Sequence, residues 1–145
     1  MDSALQSHIR ANAGEAQALL ERLCRQPSIA AQGVGIDAMA NLTEDMLREA
    51  GFTTRRLLAD GAPPAIFAEQ KGRSPYTLLL YNHYDVQPAE PLELWHSAAF
   101  KPTVRDGKLF ARGSSDNKGE IAARLAALRA LRATYGELPI TIRWI

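Results

Sequence analysis

Residues 78–88 read LLLYNHYDVQP, and the reading of this stretch decides the architecture. Leu78, Leu79 and Leu80 form a continuously apolar run, the pattern of a strand covered on both faces. The run passes into Asn82, His83, Tyr84 and Asp85 and stops at Pro88. Side chains two residues apart on extended chain project to one side, so His83 and Asp85 both reach out from the strand's end. α/β sheets commonly build their sites there. An imidazole can give one ring nitrogen to a metal while its other N–H goes to a carboxylate. Taken alone, the pair is explained more simply as a capped strand end with a turn-forming aspartate, because short motifs misfire often.

Outward from this strand, FTTRRLL at 52–58 and AIFAEQ at 65–70 carry strand signals, and YTLLLYN at 76–82 completes a set of three. Upstream, residues 4–26 read as one helix, with Leu5, Ile9, Ala16, Leu19, Leu20 and Leu23 at helical spacing, Gly14 weakening its middle and Pro27 ending it. AAQGVGI is a loop. A second helix runs from about Asp37 to Ala50, its inner stripe Met39, Ala40, Met46, Leu47 and Ala50, with Gly51 as its stop. Downstream, TVRDGKLFA reads as a hairpin because Asp106 and Gly107 tolerate the backbone angles of a tight turn. From about Asn117 to Tyr135 a third helix buries Ile121, Leu125, Leu128 and Leu131, and LPITIRWI is a final strand. The fold class expected is α/β, with helices packed on a mixed, largely parallel sheet.

The chain has 145 residues, 46% of them hydrophobic and 23% charged, which suits a folded domain and excludes disorder. A formal charge of +1 gives no electrostatic reason to expect nucleic acid or an anionic membrane as partner. Cys24 is the only cysteine, so disulfides cannot organise the fold. The first twenty residues lack a secretory pattern and no apolar run reaches the length of a membrane span, so a cytoplasmic chain is expected.

A second constellation is LFARGSSDNKGE, residues 109–120. Asp116 stands where a loop of small residues turns into a helix, so it can cap free N–H groups and benefit from the helix dipole. That role explains it without a site. Yet Arg112, Gly113, Ser114, Ser115, Lys118 and Gly119 allow the close backbone approach a site requires. Ser114 and Ser115 lie outside any Gly-x-Ser-x-Gly elbow and read as turn fillers. Cys24 reads as core, His8 and His96 as surface, Trp95 and Phe100 as loop packing, and Arg124, Arg129 and Arg132 as a solvated helix face.

Taken together, YNHYDVQP and PLELWHSAAFKPTVRDGKLFARGSSDNKGE resemble the M20 family of metallopeptidases. That family's pattern is a His-x-Asp-x-x-Pro strand end, a Trp-containing loop, a hairpin and a Gly-Arg-Gly-x-x-Asp-x-Lys-Gly turn into a helix. HYDVQP followed by PLELW is most similar to the dipeptidase branch that includes carnosinase-like enzymes. The resemblance implies a dinuclear site, usually zinc, with manganese or cobalt also suited to such ligands. It implies His83 as a ligand to one ion, Asp116 as a carboxylate bridging both, and Asp85 as the residue holding the imidazole. Two such ions lower the pKa of a shared water and polarise the scissile carbonyl. A cis peptide at Asp116–Asn117, a dipeptide or N-acyl amino acid substrate, and a homodimer for the complete protein are implied as well.

The sequence departs from the family in several places. Asn82 stands where glycine is usual, Ala111 replaces the first glycine of Gly-Arg-Gly, and Asn117 replaces a frequent aspartate. His96 and Ala98-Ala99 differ from the family's loop. The Glu-Glu pair that supplies the general base and a further ligand follows the last strand in the family, and ITIRWI stops short of it. Residues 1–145 are therefore expected to be the N-terminal part of the catalytic domain, inactive as an isolated chain. The competing reading is a stand-alone, non-catalytic module that buries an open sheet edge against a partner.

Overall fold

A computed structural model describes residues 2–145. The N-terminal helical region is two helices, not one. Helix α1 spans Ser3–Ala11 and α2 spans Ala13–Arg25. Asn12 interrupts them by leaving helical geometry and turning its amide back onto the His8 carbonyl at 2.8 Å, the local competition for backbone partners that asparagine offers. After a short turn at Ala30–Gln32, α3 covers Ile36–Glu49. All five inner-stripe residues of this helix and its end are buried, from Met39 to Ala50.

Strands β1 (Thr53–Leu57), β2 (Ala65–Gln70), β3 (Thr77–Leu80) and β6 (Thr141–Trp144) form one sheet in the order β1-β2-β6-β3. β4 (Thr103–Arg105) and β5 (Lys108–Phe110) form a separate hairpin, with Asp106 at φ 49° and Gly107 at φ 72° in its turn. α4 spans Lys118–Tyr135. The sheet is mixed, as the α/β reading requires, but the balance differs from a largely parallel sheet. β1–β2 and β2–β6 are antiparallel and only β3–β6 is parallel. Connection length explains this: a short link returns β1 into β2, whereas β3 reaches β6 through the long crossover that contains α4.

Ile66, Ala68, Ile142 and Trp144, at alternate strand positions, are buried in one core with Leu23, Met46, Leu47, Leu125 and Leu138. Phe52 meets Trp144 edge-on, ring centroids 6.2 Å apart. Phe67, Glu69 and Arg143 turn the other way, with Arg55 over the Phe67 ring and Arg143 bonded to Glu69 at 2.7 Å. The triple-leucine strand departs most from its sequence reading. Leu78 and Leu79 are 46% and 60% exposed: β3 lies at the sheet's end and pairs with β6 alone among the described strands, and Leu79, opposite Arg143, sits on the face that turns away from the core. An apolar strand whose outer edge is open is a surface that calls for a cover.

Candidate metal centre

His83 and Asp85 lie beyond β3, not on it. The segment that carries them stays extended because both sides are pinned. The Asn82 N–H donates to the Ile145 carbonyl at 2.9 Å, and the Val86 N–H donates to the Ser28 carbonyl at 2.8 Å. The Ser28 hydroxyl, fully buried, donates to the Tyr84 carbonyl at 2.8 Å, and the Tyr84 hydroxyl to the Pro64 carbonyl at 2.5 Å.

The second loop is held as firmly. Gly113, at φ 81°, presses against the first segment so closely that a β-carbon there would stand 2.5 Å from Val86 Cγ1. Lys118, at the start of α4, is fully buried, and its ammonium donates to the Leu23 and Gln26 carbonyls at 3.0 and 2.7 Å. These carbonyls lie at the end of α2, where helix geometry leaves acceptors free, so one side chain ties α4 to α2 just behind Asp116. Burial lowers the Lys118 pKa to about 8 and raises that of neighbouring Cys24 to about 11. The peptide Asp116–Asn117 is cis.

These two loops bring the three predicted residues together. His83 Nε2 meets Asp116 Oδ1 at 2.9 Å, while its Nδ1 meets Asp85 Oδ1 at 3.1 Å and the Asp85 carbonyl at 3.2 Å. Burial by itself would depress the imidazole pKa, but the bond to Asp116, the backbone of Asp85 and both carboxylate charges outweigh it and leave the value raised. The Asp116 side chain is 83% exposed, so the Nε2–carboxylate face opens outward. On the other side of His83 and Asp85 lies an apolar cleft of about 630 Å³, walled by Ile36, Leu47, Ile66, Tyr84 and Trp144.

An imidazole nitrogen and a carboxylate oxygen side by side, with a second carboxylate on the far ring nitrogen, are a donor set that fits zinc. Among the described residues no group of three or more His, Cys, Asp or Glu side chains converges to hold an ion, and His83 and Asp116 supply two candidate donors. Two arginines read as a solvated helix face carry structural bonds as well. Arg124 does not simply face solvent: it donates to the Tyr81 carbonyl at 2.6 Å and to Asn82 Oδ1 at 2.5 Å. Arg132 likewise donates to the Ala50 carbonyl at 2.7 Å. Trp95 does pack its loop, donating to the Ala89 carbonyl at 2.8 Å beneath the Arg112 guanidinium.

The sequence pattern described as peptidase family M20/M25/M40 matches residues 79–145. An M20 family metallo-carboxypeptidase, Sso-CP2 from Sulfolobus solfataricus, is similar in structure with a TM-score of 0.84 and 37% identity, over 90% of this chain and 30% of that one. Human carnosine dipeptidase 1 is similar with a TM-score of 0.86 and 29% identity, over 99% of this chain and 34% of that one. The dipeptidase Dug1p from Saccharomyces cerevisiae shares the fold, with a TM-score of 0.83 at 21% identity, over 98% of this chain and 33% of that one. The chain thus spans about a third of the length of these solved structures.

Proposed function

The chain belongs to the M20 family of metallopeptidases, and on that premise we propose that the protein hydrolyses the amide bond of a dipeptide or N-acyl amino acid at a two-zinc site. The observation that carries this reading is the 2.9 Å approach of His83 Nε2 to Asp116 Oδ1, with Asp85 on the opposite ring nitrogen. Bound zinc supplies Lewis acidity and a water of lowered pKa. The chain's own residues prepare for it. Asp85 accepts the Nδ1–H of His83, which fixes the tautomer and leaves the Nε2 lone pair free for an ion. Asp116 offers a carboxylate whose charge offsets the repulsion between two cations. The exposure of that face leaves room for a substrate carbonyl beside these donors.

The family pattern places the general base and the remaining ligands after the strand that here is β6. On this reading, residues 1–145 supply His83, Asp85 and Asp116 of that site. A homodimeric, cytoplasmic complete protein belongs to the same reading. A stand-alone interaction module is the second reading, and the open, apolar edge of β3 is what favours it.

Native mass spectrometry of the protein isolated from its source without chelators separates the two. A mass well above 15.9 kDa with two bound metal ions is the expected result. A metal-free species at 15.9 kDa would overturn the hydrolase reading and leave the module.

A further inference from the structure

We propose that Asn82, Asn117 and Arg124 form a brace that fixes His83 and Asp116 relative to each other, making Asn82 and Asn117 positioning residues for the metal site. The assignment of a metal-site role rests on the reading of His83 and Asp116 as ligands; the brace itself does not. Asn82 immediately precedes His83, and Asn117 immediately follows Asp116. The Asn82 amide nitrogen donates to Asn117 Oδ1. Its oxygen accepts from Arg124 Nη1 at 2.5 Å, and the same guanidinium donates to the Tyr81 carbonyl at 2.6 Å and to Glu120 Oε2 at 2.9 Å. The two segments that carry the ligands are therefore joined side chain to side chain, at the residue adjoining each ligand.

The chemistry gives the brace a direction. A guanidinium can only donate, whereas an amide both donates and accepts. Arg124 therefore requires the Asn82 oxygen, which turns the Asn82 NH₂ toward Asn117, and Asn117 must answer with its own oxygen. Hydrogen-bond logic of this kind is what assigns amide orientation. Glu120, one turn earlier on α4, holds the guanidinium at the head of the series. Backbone geometry does not account for Asn82: Asp106 is the only non-glycine residue with positive φ among those described. An alanine could follow the same chain path at position 82, so what Asn82 contributes is its amide.

The direction yields unequal expectations for the two asparagines. Asn117→Asp keeps an acceptor facing the Asn82 NH₂, whereas Asn82→Ala removes both links at once. Zinc titration calorimetry on the protein made from its complete natural reading frame and stripped of metal by chelation reads the positioning role, with His83→Ala as the control that defines site binding. Asn82→Ala should lower zinc affinity at least about tenfold, the range seen when supporting partners of metal ligands are removed. Asn117→Asp should retain or raise the affinity, and Asn117→Leu should repeat the loss.

A metal-free readout decides the brace independently. In urea unfolding, Asn82→Ala and Arg124→Leu should be non-additive, since the first already removes the acceptor that the second would lose. Unchanged zinc affinity in both Asn82→Ala and Asn117→Leu overturns the positioning role. Additive stabilities overturn the brace. Wild-type zinc binding that is absent, or indifferent to His83→Ala, would instead sink the metal reading, and the unfolding cycle would then decide the brace alone.

Discussion

Lys118 should add roughly 1 kcal/mol of stability to the metal-free chain between pH 7 and 9, while His83, whose folded pKa is raised, gives up its own stabilisation as pH rises and opposes that gain. The Lys118 side chain is fully buried, and that burial lowers its pKa from 10.5 to about 8. The unfolded chain returns the group to its ordinary value. Between these two values the unfolded state binds more protons than the native state, so stability rises with pH. Well below pH 8 both states are protonated and the contribution is flat. The difference corresponds to roughly 3 kcal/mol over the whole window, of which somewhat over a third falls between pH 7 and 9.

Cys24 opposes this gain at the upper end. Burial raises its thiol from 9.0 to about 11, so the unfolded chain ionises first and stability declines above pH 9. At pH 9 that loss has reached only about 0.4 kcal/mol. Urea unfolding at half-unit pH intervals should therefore show a rise that levels off above pH 9. Cys24→Ala should extend the rise, and Lys118→Met should abolish it. A Lys118→Met profile that rises with pH as much as the wild type does would refute the assignment to a buried ammonium.

Replacing Asp85 with asparagine should weaken zinc binding about 10- to 100-fold by calorimetry, because the residue would no longer hold the imidazole with a charge; an unchanged affinity would remove Asp85 from the site. Glu44, 5% exposed, accepts from Arg48 at 2.5 Å, Arg56 at 2.9 Å and Thr54 at 3.0 Å; both arginines reach solvent, so Glu44→Ala should cost roughly 1 kcal/mol in urea unfolding at pH 7. Burial alone would raise the Glu44 pKa, but its bonds to Arg56 and Thr54 and the arginine charges leave it lowered. Its stabilisation should therefore persist at neutral pH and fade as acid passes through that lowered value, shrinking the difference between wild type and variant. Gly113→Ala should lose at least about 1 kcal/mol in thermal unfolding, since φ 81° and the 2.5 Å approach to Val86 both exclude a β-carbon. Val86→Ala should recover part of that loss.

Elements with a local cause were legible in the sequence. Asp106–Gly107 announces its hairpin because the turn itself needs residues that accept positive φ, and the stripe from Met39 to Ala50 announces α3 because burial follows helical spacing. The His83–Asp85 contact also closes within three residues. Asn12 shows the limit at short range: helical spacing continues across it, and only the turn of its amide onto His8 reveals the break. The exposure of Leu79 shows the limit at long range. An apolar run states that something covers a strand, and says nothing of which chain segment does so.

The burial of Lys118 was hidden for a related reason. Lysine is almost always exposed unless paired, and its partners here are backbone carbonyls at the end of α2, more than ninety residues earlier in the chain. No periodicity in α4 records them. The same holds for Arg124, whose position on the helix shows that it points away from the core but not that Asn82 stands opposite. The His83–Asp85 half of the candidate centre is written in a tripeptide. The half that sets Asp116 against His83 depends on β3 and β6 pairing in parallel, on α4 returning between them, and on polar side chains meeting where those elements end. Recognition of the motif thus identifies the donors, while their mutual geometry is a property of the folded crossover. A change at Asn82 or Lys118 can therefore impair the centre while every motif residue implied to bind metal stays in place.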